Sequence, residues 1–115
     1  MLRRNPDRAW IILLHHQVVE YPVASISLRD RIGLALVNAP ALLAAIAPYT
    51  SRIVILHGHR HRDWIGICRN VVLASAPSVT MGSETEKYVG SFHVDEFWLG
   101  AGGQIRLNST CRVKV

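Results

Sequence analysis

The sequence predicts an α/β fold that ends in a β-hairpin. Two short apolar segments rich in β-branched residues, residues 10–15 and 53–57, have the composition of buried strands. A helix is expected between them, because Asn38 suits the N-cap, Pro40 suits the first helical turn and Pro48 ends the apolar run. Strand, helix and strand in this order are typical of an α/β sheet.

The C-terminal part of the chain predicts four further strands. Residues 63–68 and 71–75 are expected to form two strands joined by an Arg-Asn turn. Residues 88–99 and 105–115 alternate in polarity, and the glycine-rich tetrapeptide between them is the predicted turn of a hairpin. On each hairpin strand we expect the apolar residues on a single face: Phe92, Val94 and Trp98, then Ile105, Leu107, Val113 and Val115.

Histidines follow both of the first two apolar strands. His15 and His16 end the first, and the second ends in His57 and continues as Gly-His-Arg-His, which contains His59 and His61. Residues two apart in an extended backbone point to the same side. If both strands deliver histidine at one sheet edge, His15, His59 and His61 converge, and neutral imidazole is the commonest protein ligand for zinc and similar metals. The alternative, in which these are ordinary surface or hydrogen-bonded histidines, stays open.

The order of these motifs resembles the C-terminal half of calcineurin-like metallophosphoesterases. In that family a strand ending in histidine, often doubled, precedes a strand ending in Gly-His-x-His, as in residues 13–16 and 56–61 here. The resemblance runs from about residue 9 to residue 82. It implies a four-layer α/β/β/α sandwich with a mixed sheet and a terminal hairpin. Residues 1–115 would then form a single partial domain, the C-terminal half.

The resemblance also implies a role for each histidine. His15 and His59 would bind one of two divalent metal ions, and His61 would bind the other. His16 and His57 would be neighbours of these ligands, as second-shell groups or substrate contacts. The metals in such a site are Mn, Fe or Zn, and the substrate is a phosphomonoester or a phosphodiester.

The family's N-terminal motifs are absent from this sequence. Asp-x-His, Gly-Asp and Gly-Asn-His do not occur, and in the family they supply the bridging carboxylate and a catalytic histidine. The chain is therefore expected to be a fragment, a truncated gene product or a descendant that lost the first half, with no assigned catalytic residue. We expect no meaningful hydrolysis by this chain alone and at most one bound metal. A mononuclear three-histidine site at His15, His59 and His61 is a further alternative.

Charged residues near the Gly-His-Arg-His segment have two interpretations each. Asp63 can orient a ligand imidazole as a second-shell acceptor, or it can cap its own backbone in a loop. Arg60 and Arg62 can form a rim that attracts phosphate, or they can be ordinary solvated charge.

Composition sets the remaining expectations. The net charge is +5, but the basic residues are scattered along the 115-residue chain, so nucleic-acid binding has no support. No apolar run reaches the length of a membrane helix, and Cys68 and Cys111 are expected to be a reduced, cytoplasmic pair. The alternative function is a non-catalytic interaction module, because half of a two-sheet sandwich exposes an apolar sheet through which it can self-associate.

Overall fold

The computed structural model describes residues 2–5, 7–19, 36–58, 63–79 and 90–115. Within them the chain forms six strands, one α-helix and two 3-10 helices. The strands are β1 (Trp10–Leu14), β2 (Ile53–His57), β3 (Trp64–Cys68), β4 (Val71–Ser75), β5 (Ser91–Leu99) and β6 (Ile105–Lys114). The α-helix, α1, spans Ala39–Ile46, and the 3-10 helices span Leu2–Arg4 and Ala47–Arg52.

The described strands form two sheets. The first has the order β1-β2-β4-β3, in which β1, β2 and β4 are parallel and β3 is antiparallel to β4. The second is the β5–β6 hairpin. The predicted α/β class, the mixed sheet and the terminal hairpin are therefore confirmed.

One face of the four-stranded sheet packs against α1 and is called the helix face. Its central residues Ile53, Ile55, Val71 and Leu73 are buried together with Leu43 of α1. The helix face also carries the alternate residues of the outer strands and of the strand ends: Trp10, Ile12, Leu14, His57, Trp64, Gly66, Cys68 and Ser75. Burial of each large aliphatic side chain contributes roughly 1.5–3 kcal/mol, so this layer is the main core.

The helix begins as predicted, but not by the predicted cap. Asn38 occupies the N-cap position and a proline lies in the first turn, yet the Asn38 side chain makes no capping hydrogen bond. Its backbone, with φ −94° and ψ 17°, is not in the extended conformation that directs a capping side chain back to the helix. The α-helix ends at Ile46, and Pro48 falls in the first turn of the following 3-10 helix, where its missing N–H costs little.

The opposite face of the sheet lies toward the hairpin and is called the hairpin face. It carries only aliphatic side chains: Ile11, Leu13, Val54, Leu56, Ile65, Ile67, Val72 and Ala74. Strand β6 contacts β2 and the Ala47–Arg52 helix, and Val54 and Ala74 are buried. The hairpin therefore covers the centre of this face, while the outer strands remain open to solvent.

A bulge changes the predicted face pattern of the hairpin. Glu96 pairs with Ser109 but Phe97 pairs with Leu107, so Asn108 is an extra residue in β6. Val113 pairs with Phe92 on the outer face of the hairpin, while Leu107 lies on the inner face with Phe97. The prediction of one common face for the apolar residues of β6 is therefore wrong, because a single inserted residue reverses the alternation.

Two tight connections agree with the sequence. Arg69 and Asn70 join β3 to β4 with φ values of 49° and 64°, the left-handed conformation of a two-residue hairpin turn. Gly103 in the β5–β6 turn has φ 73°, and a Cβ there would lie 2.7 Å from the Asp7 backbone, so glycine is needed.

Membrane and redox features add little to this picture. Across the described ranges no helix combines the length and apolar character that crossing a membrane requires. Cys68 and Cys111 are free thiols, as expected for a reduced pair.

Candidate functional site

The carboxyl ends of β1 and β2 lie side by side. The two strands are parallel neighbours, with Leu14 opposite His57. His15 and Gly58, the next residue of each strand, therefore leave the sheet at the same edge. This adjacency is the geometric condition that a shared site of His15 with residues 59–61 requires.

Four residues of the predicted site lie outside the described residues. They are His59, Arg60, His61 and Arg62. Within the described part, no group of three His, Cys, Asp or Glu side chains is placed to hold a metal ion. Convergence of the three histidines and the arginine rim thus stay predictions.

The histidine pair after β1 presents two different environments. The His15 side chain is exposed, whereas His16 is half-buried, and their ring centroids lie 4.9 Å apart with an interplanar angle of 65°. A metal ligand must offer a ring nitrogen to an incoming ion, and exposure of His15 meets that requirement. The exposed ring of His15 is compatible with the predicted ligand role, which stays a prediction.

His57 lies in the helix face and is buried. Both of its ring nitrogens are inaccessible to solvent. Burial lowers the pKa of His57 below its usual value, and a hydrogen bond with the Gly58 backbone partly opposes this shift. Burial therefore favours the neutral form of His57, and its role as a second-shell group or substrate contact stays a prediction.

Gln17 places a buried acceptor at the same edge. Its side chain is buried, and among the described residues no donor reaches its Oε1. Its backbone carbonyl accepts a hydrogen bond from Leu36 N at 2.9 Å, which holds the segment after the histidine pair in place. A buried carbonyl oxygen without a donor costs about 1–3 kcal/mol, so this position favours an incoming N–H or water.

Asp63 belongs to a second polar group, which we call the Asp63 cluster: Asp63, Ser91, His93 and Arg112. Asp63 Oδ1 lies 3.0 Å from His93 Nε2, and Asp63 Oδ2 lies 3.7 Å from Arg112 Nη1. The Arg112 Nε–H donates to Ser91 Oγ at 3.0 Å. His93 Nε2 makes no hydrogen bond to the carboxylate, so this is a close polar contact and not a hydrogen bond.

The cluster gives Asp63 partners that the sequence did not suggest. Its carboxylate contacts the hairpin, and the predicted acceptor role toward a ligand imidazole at His61 stays a prediction. His93 is a strand residue, as expected. Its side chain is only 4% exposed and contacts Asp63, the residue directly before β3. The alternation of β5 places Ser91 and His93 on one face, but the pairing of His93 with Arg112 depends on the bulge, which the sequence does not indicate.

Comparisons with protein-family models, with curated proteins and with solved structures find no match to this chain. The described geometry and the motif order are therefore the basis for assigning a function.

Proposed function

We propose that this chain carries the histidine-rich half of a dinuclear metal site that hydrolyses phosphoesters. The fold would be the C-terminal part of the α/β/β/α metallophosphoesterase sandwich, in a cytoplasmic protein. The observation that carries the proposal is the parallel pairing of β1 and β2, with Leu14 opposite His57. It brings the histidine pair and the start of Gly-His-x-His to one sheet edge, where α/β folds build their sites.

The donor set at this edge suits borderline divalent ions. Imidazole nitrogen is a preferred ligand of zinc, iron and related metals. In the proposed site, His15 and His59 hold one ion and His61 holds the other. The buried Gln17 Oε1 at the same edge can accept a hydrogen bond from a ligand imidazole or a bound water.

The chemistry of the full site divides between the two halves. Two divalent ions, when bound, would activate a water molecule and polarise the phosphoryl oxygen. The residues of this chain bind through neutral nitrogens, and the proposed rim of Arg60 and Arg62 offsets phosphate charge. Histidines bring no negative charge to keep two cations close together. A bridging carboxylate from outside this sequence is therefore required, and this chain alone should not hydrolyse phosphoesters.

Metal binding by the 115-residue chain tests the proposal. We expect calorimetric titration with Zn²⁺ to give at most one ion per chain, with binding lost in His15→Ala and in His59→Ala. The matched control is Arg106→Gln, because Arg106 lies on β6 over the Trp98 ring, 5.4 Å from its centroid, away from the edge. Equal zinc binding by the wild type and both histidine variants would contradict the proposed site.

An activity measurement tests the half-site interpretation separately. With Mn²⁺ and a chromogenic phosphodiester or phosphomonoester, we expect rates no higher than those of Mn²⁺ alone. Robust hydrolysis that disappears in His59→Ala would keep the phosphoesterase assignment but would refute the need for a second half.

The second candidate function is a non-catalytic module that self-associates. It is favoured by the exposed aliphatic residues on the outer strands of the hairpin face, Ile11, Leu13, Ile65 and Ile67. Exposed apolar strands drive association. The two functions differ in their response to chelator. The module associates to the same extent with and without metal, whereas the enzyme half binds a metal ion that the chelator removes.

A further inference from the structure

Strand β3 is an edge strand of the four-stranded sheet and carries no charged side chain. Among the described strands it is paired on one side only, with β4. Its residues, Trp64–Cys68, are Trp, Ile, Gly, Ile and Cys, and its pairing with β4 is regular. Charged side chains, proline and bulges are common devices that protect an edge strand from pairing, and β3 has none of them. Its outer edge is therefore open to a further strand.

Two residues of β3, Ile65 and Ile67, direct their backbone N–H and C=O groups to the open edge. Cys68 and Val71 flank the two-residue turn between β3 and β4, so they form a hydrogen-bonded pair. Hydrogen-bonded and non-hydrogen-bonded pairs alternate along an antiparallel ladder, so the two isoleucines belong to non-hydrogen-bonded pairs with β4. The other side of β4 agrees with this alternation, because Ala76 N donates to β2. The backbone groups of both isoleucines thus face away from β4.

The sequence of β3 is self-complementary about Gly66. When two copies of the strand pair antiparallel with Gly66 opposite Gly66, Ile65 of each copy lies opposite Ile67 of the other. These residues direct their backbone groups to the edge, so each opposed pair can exchange two hydrogen bonds. On the hairpin face the same register joins the isoleucines of both copies, which are 42% and 74% exposed in the single chain. One register therefore satisfies the backbone and covers exposed apolar surface, as a two-fold symmetric interface requires.

The charged residues that flank β3 favour the same register. Asp63 precedes the strand and Arg69 follows it, so with Gly66 at the centre Asp63 of each copy lies beside Arg69 of the other. The Asp63 side chain is 39% exposed, so its carboxylate is accessible although it also contacts the hairpin. A register centred on Ile65 would place Ile67 opposite Asp63, and one centred on Ile67 would place Ile65 opposite Arg69. Charge complementarity thus points to a second copy of this strand as the partner.

The other edge strand, β1, lacks this complementarity. Its exposed aliphatic residues resemble those of β3 in exposure. A pair of β1 strands centred on Ile12 would, however, place Arg8 opposite His16, and neither residue is acidic. The flanking charges therefore distinguish the two edges of the sheet.

We infer that β3 forms the interface of a symmetric dimer, in which the β3 strands of two copies pair antiparallel about Gly66 and join their sheets edge to edge. The inference rests on the second candidate function, self-association, and names its surface and its partner. It does not depend on the metal site, so the measurements are made in chelator.

Sedimentation of the full chain provides the first test. We expect the wild type to approach the mass of a dimer and Ile67→Lys to have the mass of a monomer, because a lysine on an edge strand opposes pairing. Ala44→Lys adds the same charge to an exposed position on α1 and should leave the dimer intact. A monomeric wild type would overturn both the inference and the second candidate function. A wild type that associates, with no change in Ile67→Lys, would overturn the inference and leave self-association standing.

Disulfide cross-linking tests the register. In a chain with Cys68→Ala and Cys111→Ser, the variants Ile65→Cys and Ile67→Cys are oxidised separately and as a mixture. In the inferred register the opposed positions have Cα atoms about 5.5 Å apart, within disulfide range, whereas equivalent positions of the two copies are about 8 Å apart. The mixture should therefore form several-fold more covalent dimer than either variant alone. A mixture of Leu13→Cys and Ile67→Cys is the matched control, because Leu13 is 73% exposed on the other edge strand.

The cross-linking outcomes separate the inference from general self-association. Covalent dimer confined to the mixture of Ile65→Cys and Ile67→Cys would support the β3 pairing. Equal yield in the Leu13→Cys mixture would mean that the copies associate through the open part of the hairpin face without a defined strand register, which overturns the inference and retains the second candidate function. A higher yield in either single variant would overturn the register about Gly66 and with it the inference.

Discussion

Both faces of the four-stranded sheet are largely apolar, but they are covered to different extents. On the helix face, Ile55 and Leu73 are fully buried beneath α1. On the hairpin face the centre is covered, but Leu13 on β1 and Ile67 on β3 are 73% and 74% exposed. A two-stranded hairpin is too narrow to cover a four-stranded sheet. An apolar strand pattern therefore predicts which face of a sheet is apolar. The number of strands packed on that face determines how much of it is buried.

The largest predicted effect is a difference in unfolding free energy between the two faces. Leu73→Ala removes a fully buried side chain and should cost about 2–5 kcal/mol. Ile67→Ala, on the opposite face, should change stability by about 0.5 kcal/mol or less, because the side chain is already mostly in water. Urea denaturation of both variants provides the measurement. Equal losses would mean that the outer part of the hairpin face is covered in solution.

The second prediction concerns association through the open strands. If the exposed part of the hairpin face drives self-association, Leu13→Lys and Ile67→Lys should lower the weight-average mass in sedimentation without a large loss of stability. Ala44→Lys is the matched control, because Ala44 is exposed on α1, in the layer beyond the opposite face. A mass that falls equally with Ala44→Lys would indicate a general charge effect, and an unchanged mass in all variants would contradict the interaction module.

Sequence periodicity and turn chemistry predicted most of this architecture. The observed bounds of β2 and β4 match the predicted strands, and the Arg-Asn turn and the helix with its early proline were predicted from local signals. Local sequence patterns do not indicate where an extra residue is inserted in a strand, so the bulge at Asn108 and the reversed face of Val113 were missed. The Asn38 cap failed because backbone geometry, which composition does not specify, decides whether the side chain reaches back.

For the candidate site, too, features that follow from local patterns were predicted and features that depend on tertiary packing were not. Adjacency of β1 and β2 agrees with the expectation that their histidines leave one edge, because strand order follows from the strand-helix-strand pattern. The link from Asp63 to His93 depends on how the hairpin docks on the sheet, a non-local event that no local pattern encodes. The same holds for the burial of His57, which composition alone does not distinguish from the exposed His15.

The third prediction uses His57 to test the helix face near the site. Because burial lowers its folded pKa below the usual 6.5, the unfolded chain takes up a proton first as the pH falls. The stability contributed by keeping His57 neutral is therefore complete above the unfolded pKa and is lost as the pH decreases below it. In chelator, urea midpoints at pH 7.5 and 5.5 should differ more for the wild type than for His57→Gln. Because the two proteins differ only at His57, equal differences would contradict a lowered pKa for His57.

The smallest predicted effect lies on the outer face of the hairpin, at the bulge. Glu96 is exposed and accepts hydrogen bonds from Asn108 Nδ2 at 3.0 Å and from Ser109 Oγ at 2.9 Å. These bonds lower the pKa of Glu96 below its usual 4.5, with Asn108 contributing most. Since the folded pKa is depressed, the associated stabilisation is present above pH 4.5 and disappears as the pH falls through the folded pKa.

An NMR titration of the Glu96 carboxyl carbon provides the test of this bulge interaction. Asn108→Ala should move the pKa back toward its usual value, and Ser109→Ala should move it less, while the urea midpoint of either variant changes little because the carboxylate is in water. An unshifted wild-type pKa would mean that the bulge leaves Asn108 free to solvent. The bulge end of the hairpin's outer face would then lack this carboxylate interaction, in contrast to the inner face, where Arg112, Ser91 and Asp63 are joined by side-chain contacts.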